Sequence, residues 1–119
     1  MDEERASRFA EQWYNAWNAH DLDAILDHYA DDVETVSPLV STLTGSQGNT
    51  IAGKDALRSY FAAGLERYPA LHFEPLELFT GVDSLVLRYR SAGGNVAAEV
   101  IFLDEDDKIS RYFAHYAQP

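Results

Sequence analysis

Apolar positions in the first third of the chain recur at helical spacing. Ala6, Phe9, Ala10, Trp13, Ala16 and Trp17 fall on one face of a segment from about residue 3 to 19, an aromatic stripe on a predicted helix. His20-Asp21 interrupts it, and Asp21 can cap a second helix in which Leu22, Ile25, Leu26 and Tyr29 repeat at i, i+3, i+4, i+7. Asp31-Asp32 ends that helix, and Val33 to Val36 reads as a short strand. Ser37 to Ala52 holds Pro38, Gly45, Gly48 and several Ser and Thr; it reads as a long loop, a candidate lid over a pocket. A third helix follows Gly53, with Leu57, Tyr60, Phe61, Gly64, Leu65 and Tyr68 on one face, and Pro69 stops it.

From Leu71 onward the period changes. Strands are predicted at roughly 71–80, 84–91, 96–103 and 108–117, joined by turns at Gly81-Val82-Asp83, Gly93-Gly94 and Asp104 to Asp107. Helices first and strands after, with no alternation of the two, is an α+β pattern. The length of 119 residues accommodates one domain, 1–119, with no internal repeat or linker.

Charge and composition narrow the function classes. A net charge of −11 argues against nucleic acid, which is bound through a basic surface, and against an anionic membrane. The chain has no cysteine, so disulfides, thiolate nucleophiles and Cys-type zinc sites are excluded. The start, Met1-Asp2-Glu3-Glu4, is acidic and does not read as a signal peptide, and no apolar run is long enough to span a bilayer. A cytoplasmic location is the default expectation. His72 and His115 lie on strands without ligand spacing, and Asp104 to Asp107 lacks the glycine and the distant glutamate of a calcium loop. No metal and no cofactor are expected.

Two stretches carry a family resemblance. Trp17-Asn18-Ala19-His20-Asp21-Leu22-Asp23, followed by Tyr29-Ala30-Asp31-Asp32-Val33, resembles the opening of nuclear transport factor 2-like proteins. The Leu103-Asp104 to Lys108-Ile109 hairpin and its aromatic last strand fit the same superfamily. It includes the SnoaL-like polyketide cyclases, ketosteroid isomerase, limonene epoxide hydrolase and scytalone dehydratase. The resemblance implies a cystatin-like, cone-shaped α+β fold: three N-terminal helices packed on a curved antiparallel sheet around a small-molecule pocket. It also implies a homodimer through the convex sheet face. It does not specify a chemistry, since the fold hosts many activities and non-catalytic binders.

Turn lengths sort the strand residues by face. A two-residue turn at Gly93-Gly94 puts Arg88 opposite Glu99 and Val86 opposite Ile101. A four-residue turn at Asp104 to Asp107 puts Glu99 opposite Tyr112 and Ile101 opposite Ser110. One face then carries Val86, Arg88, Arg90, Glu99, Ile101, Leu103, Ser110, Tyr112, Ala114 and Tyr116. The other carries Leu85, Leu87, Tyr89, Val100, Phe102, Phe113 and His115. Hydrophobicity alone puts the second face against the helices. The resemblance favours the first: Glu99 matches the aspartic acid of the ketosteroid isomerase oxyanion hole, and Arg88 falls near the arginine of limonene epoxide hydrolase. The apolar second face is then left for a dimer contact.

The departures bear on chemistry. The general base of ketosteroid isomerase matches Ser37, which cannot abstract a proton from carbon unaided. Its oxyanion tyrosine matches Trp13, an indole donor. The second acid of the epoxide hydrolase matches Ala114. The expected site is therefore Glu99 and Arg88 as the reactive pair, with Glu99 bonded to Arg88 or to Tyr112. Its cavity is lined by Trp13, Trp17, Tyr29, Ser37, Tyr60, Ile101, Tyr112, Ala114 and Tyr116. Two functions fit this: an isomerase-, cyclase- or hydrolase-type enzyme acting by proton transfer on a small, apolar, oxygen-bearing compound, or a non-catalytic ligand-binding or interaction module.

Overall fold

The computed structural model describes residues 1–117. Asp2 caps α1 (Glu3–Asn18) by accepting from the Arg5 N–H at 2.7 Å, and Glu3 and Glu4 lie in the first turn, where negative charge complements the helix dipole. The buried face of α1 is the aromatic stripe, with Tyr14 added to it. Asp21 caps α2 (Leu22–Leu26) through the Ala24 N–H at 3.1 Å. This helix is only five residues long, and Tyr29 opens strand β1 (Tyr29–Val36) instead of closing the helix.

The stretch expected to be an irregular loop contains two elements. Leu39, Val40 and Leu43 lie on α3 (Leu39–Thr44), which ends at Gly45 with φ +72°, a left-handed position suited to glycine. Thr50–Ala52 forms β2, an edge strand paired antiparallel to β1. The long helix α4 (Lys54–Arg67) follows, burying Leu57, Tyr60 and Phe61. Then come β3 (Glu74–Thr80), β4 (Ser84–Arg90), β5 (Val96–Leu103) and β6 (Ile109–Tyr116). No helix among the described residues is long and apolar enough to cross a membrane.

The sheet order is β2-β1-β6-β5-β4-β3. Four of its five pairings are antiparallel; β1 and β6 run parallel, so the sheet is mixed where a purely antiparallel one was expected. Irregular register between Tyr29 and Glu34, between Pro75 and Glu77, and between Phe102 and Leu103 marks bulges, which bend a sheet around what it covers.

Register is where the expectation fails. Leu87, not Arg88, stands opposite Glu99, because the β4–β5 connection runs from Ser91 to Asn95. The Ser91 N–H donates to the Asn95 carbonyl at 2.6 Å, and Gly93 and Gly94 both take positive φ. A shift of one residue moves every side chain of a strand to the opposite face. Leu85, Leu87 and Tyr89 therefore point inward, and Val86, Arg88 and Arg90 lie on the outer face. Between β5 and β6 the pairing is displaced by two: Glu99 is opposite Ala114. A two-residue shift preserves the face, so Glu99, Ile101, Leu103, Tyr112, Ala114 and Tyr116 share one side as expected. Ser110 is displaced from that set by the bulge beside Leu103.

The Arg88 guanidinium pairs with Glu77 at 2.8 Å, and both side chains are about half exposed. Exposed pairs of this kind contribute under about 1 kcal/mol. Replacing Arg88 with Ala is expected to lower unfolding stability by less than about 1 kcal/mol in urea titrations. A loss above about 2 kcal/mol would place Arg88 in the interior instead.

Candidate functional site

The inner sheet face does not meet the helices everywhere. Between them lies a cavity of about 330 Å³. Tyr89, Glu99, Tyr112, Ala114 and Tyr116 form its sheet wall. Trp17 enters from the end of α1, Tyr60 and Phe61 from α4, and Tyr68 from the position that caps the C-terminus of α4. Ser37, Pro38, Leu39 and Leu43 close another side, with Leu43 packed over Gly64. The Asn18 side chain brackets the Phe73 backbone, donating to its carbonyl at 3.0 Å and accepting from its N–H at 2.7 Å. That clamp and the bond from His20 Nε2 to the Leu71 carbonyl, 2.7 Å, hold Leu71 and Phe73 in the wall.

Of the expected pocket residues, Trp17, Ser37, Tyr60, Glu99, Tyr112, Ala114 and Tyr116 come together here. Trp13, Tyr29 and Ile101 do not line the cavity; they are fully buried in the core around it. Trp13 Nε1 donates to Tyr29 Oη at 3.1 Å, so the indole that matched an oxyanion donor is already occupied. Arg88 is on the far side of the sheet and cannot serve as a partner of Glu99.

Glu99 is the only charged side chain buried in the core among the described residues, 7 % exposed. Its partner is neither Arg88 nor Tyr112. Tyr89 Oη donates to Glu99 Oε1 at 2.8 Å, and Oε2 has no partner among the described residues. Removal from water disfavours the carboxylate and raises its pKa to about 7, while the Tyr89 hydrogen bond opposes the rise in part. A carboxyl that titrates there populates both forms at neutral pH, as a general acid or base requires. The phenols around it are held neutral: burial raises Tyr89 and Tyr112 well above the ordinary value, and Tyr60 to about 12.

At the other pole, Tyr60 Oη donates to Ser37 Oγ at 3.2 Å, and the Leu39 N–H donates to the same oxygen at 3.2 Å. No group of three or more metal-ligating side chains occurs among the described residues. Sequence reasoning missed Tyr89, because it takes the wrong face once β4 slips by one. It also missed Leu39 and Leu43. Their signal was present: an i, i+4 apolar pair directly after Pro38.

The profile described as "SnoaL-like domain" matches residues 10–112. A SnoaL-like protein of unknown function from Burkholderia thailandensis is 40% identical, with 98% of each chain covered and a TM-score of 0.92. A proposed isomerase of the SnoaL-like family from Agrobacterium tumefaciens is 14% identical, over 97% of this chain and 99% of that one, at a TM-score of 0.77. TerC, crystallised with polyporic acid, is 17% identical over 94% and 91%, at 0.76. The last two comparisons concern the fold alone. No curated protein sequence matches the chain significantly.

The raised pKa of Glu99 has a consequence for stability. The unfolded carboxyl titrates near 4.5 and the folded one near 7. Below pH 4.5 it is protonated in both states. Between the two values the folded state binds more protons, so stability falls as pH rises; above pH 7 the full penalty, about 3 kcal/mol, is present. Glu99→Gln removes this dependence. In urea unfolding, wild type is expected to lose about 3 kcal/mol relative to the variant between pH 4.5 and 8. Parallel profiles would show that Glu99 is not buried as a titrating acid.

Proposed function

The chain belongs to the SnoaL-like family, and we propose that it takes up a small, apolar, oxygen-bearing molecule in the cavity and moves a proton on it with Glu99. The observation that carries this reading is the Glu99 carboxyl: buried in the cavity wall, poised near neutral pH, bonded once to Tyr89 and without a second partner among the described residues. A group of this kind in an enclosed apolar site is a candidate for chemistry.

The roles follow from the geometry. Tyr89 donates to one carboxyl oxygen, which fixes the plane of the group and leaves the other oxygen for the ligand. As carboxylate, Glu99 takes a proton from carbon beside a carbonyl; as the resulting acid, it returns that proton to another carbon or to oxygen. Isomerisation or ring closure by that route consumes and releases the same proton, and Glu99 ends as it began. Trp17, Phe61 and Phe73 supply flat apolar walls. Leu39 and Leu43 of α3, within the segment expected to act as a lid, form part of the enclosure.

The outer sheet face supports a homodimer. Val86, Val100, Phe102 and Phe113 lie there half-buried, with the two phenyl rings edge to face at 6.0 Å and the Arg111 guanidinium 4.2 Å over the Phe102 ring. An apolar face of that kind is suited to an isologous contact with a second copy. Sedimentation at micromolar concentration is expected to give a dimer; a monomer there would remove this assignment.

A non-catalytic module is the second reading, and one observation favours it. Ser37 and Ala114 both line the cavity, and Glu99 is the only carboxyl side chain among the described residues that line it. Solvent-deuterium exchange into a bound benzo-fused cyclic ketone such as 2-tetralone, followed by NMR, separates the two. The enzyme reading expects wild type to accelerate exchange at the carbon beside the carbonyl, and Glu99→Gln to lower that rate by about a hundredfold or more. Binding without acceleration supports the module.

A further inference from the structure

One position interrupts the aromatic side of α4. Tyr60, Phe61, Gly64 and Tyr68 all line the cavity, at spacings that share a face of a helix. Large rings stand at three of these positions and no side chain at the fourth. Gly64 lies inside α4, where glycine destabilises a helix relative to alanine. A positive φ or a close backbone approach is the ordinary reason to accept that cost. Neither applies here. The glycines with positive φ are Gly45, Gly53, Gly93 and Gly94. A methyl group at Gly64 would meet one atom within 4 Å beyond its own helix turn, Leu43 Cδ1 at 3.7 Å, an ordinary contact. Alanine therefore fits, and the rest of the space beside Gly64 is open.

That space lies where the cavity reaches solvent. Trp17, Phe61, Glu99 and Tyr112 are buried at its floor. Leu39, Leu43, Gly64, Tyr68, Ser91 and Asn95 line it and are partly or fully exposed, which marks the mouth. On one side of this rim Leu43 faces the bare backbone of α4. The Gly64 carbonyl already accepts from the Tyr68 N–H at 3.0 Å, so the exposed strip of helix is spent as a hydrogen-bonding surface.

We propose that Gly64 is a specificity-determining residue: the space left by its missing side chain, beside Leu43, receives the distal apolar end of a ligand whose oxygen lies toward Glu99. The ligand class is a flat, elongated molecule with a polar group at one end and an apolar extension at the other. A cavity of about 330 Å³ is at the small end for ligand sites, so such an extension runs out between α3 and α4 toward the mouth. This rests on the small-molecule reading above and deepens it by naming the residue that sets ligand length.

Two naphthols test the assignment by isothermal titration, 2-naphthol and 6-propyl-2-naphthol. Wild type is expected to bind the propyl compound about tenfold or more tighter, because the added chain is buried along Leu43 and Gly64. Gly64→Ala is expected to weaken the propyl compound about tenfold and to leave 2-naphthol within about twofold. Adding Leu43→Ala to Gly64→Ala reopens the gap and should return the propyl compound to within about threefold of wild type. Urea unfolding is read alongside: Gly64→Ala should raise the ratio of folded to unfolded protein about fourfold. A lowered ratio would assign the glycine to packing and overturn the proposal. Equal weakening of both naphthols, or of neither, overturns the Gly64 assignment while the pocket reading stands. So does a Leu43→Ala change that restores nothing. If the propyl compound binds wild type no tighter than 2-naphthol, or if neither binds, the elongated class falls and the role of Gly64 with it. Proton exchange on 2-tetralone then decides the Glu99 reading separately.

Discussion

A carboxyl group buried with one phenolic partner constrains everything around it. Leaving the Glu99 charge in an apolar interior without compensation would be very unfavourable, so burial raises its pKa to about 7 while the Tyr89 hydrogen bond favours the charged form. Tyr89 can do this because it sits on the same inner face, two residues along β4 from Leu87, which pairs with Glu99. Its ring in turn is fixed by Phe73 at 4.5 Å and by the rings of Trp13 and Tyr14. The partner is therefore held in place before any ligand arrives, which is what preorganisation of a reactive group requires.

The aromatic layer on α1 holds the fold together and also shapes the cavity. Trp13 packs at the centre, stacked on Phe73 at 5.6 Å, and uses its only polar atom on Tyr29. Trp17, one turn on, meets Phe61 and lines the cavity. Equivalent residues on one helix face thus divide into a structural tryptophan and one at the cavity wall. Large, stiff rings held by edge-to-face contacts are well suited to keep a space of this size from collapsing, since each has few rotamers to repack into.

Relation to the SnoaL-like family and the chemistry of this chain are separate matters. The fold is common to proteins sharing as little as 11% of their residues with this one, so it carries no activity by itself. The local differences carry more information. With serine at position 37 and alanine at 114, Glu99 is the single acid among the described residues lining the cavity, and the polar cluster opposite it is built from Ser37, Tyr60 and a backbone N–H.

Periodicity alone determined the elements with strong local signals. The α1 stripe, the α4 face stopped before Pro69, and β5 over 96–103 all lie where apolar spacing and capping residues put them. The placement of Glu99, Tyr112 and Tyr116 on one face was also legible, because the error across the β5–β6 turn was two residues and parity survived it. Three things were decided only by tertiary structure. Tyr29, helical by spacing, became the first residue of a strand because the sheet offered a parallel pairing with Ile109. Leu39 to Thr44 turned into a helix packed beside α4. Above all, the connection between Arg90 and Val96 took five residues where two glycines suggested a tight turn, and that one step exchanged Arg88 for Tyr89 as the residue beside Glu99. Glycine permits many turn geometries, so a Gly-Gly pair locates a turn without counting its residues; the count is settled by which side chains the core accepts on burial.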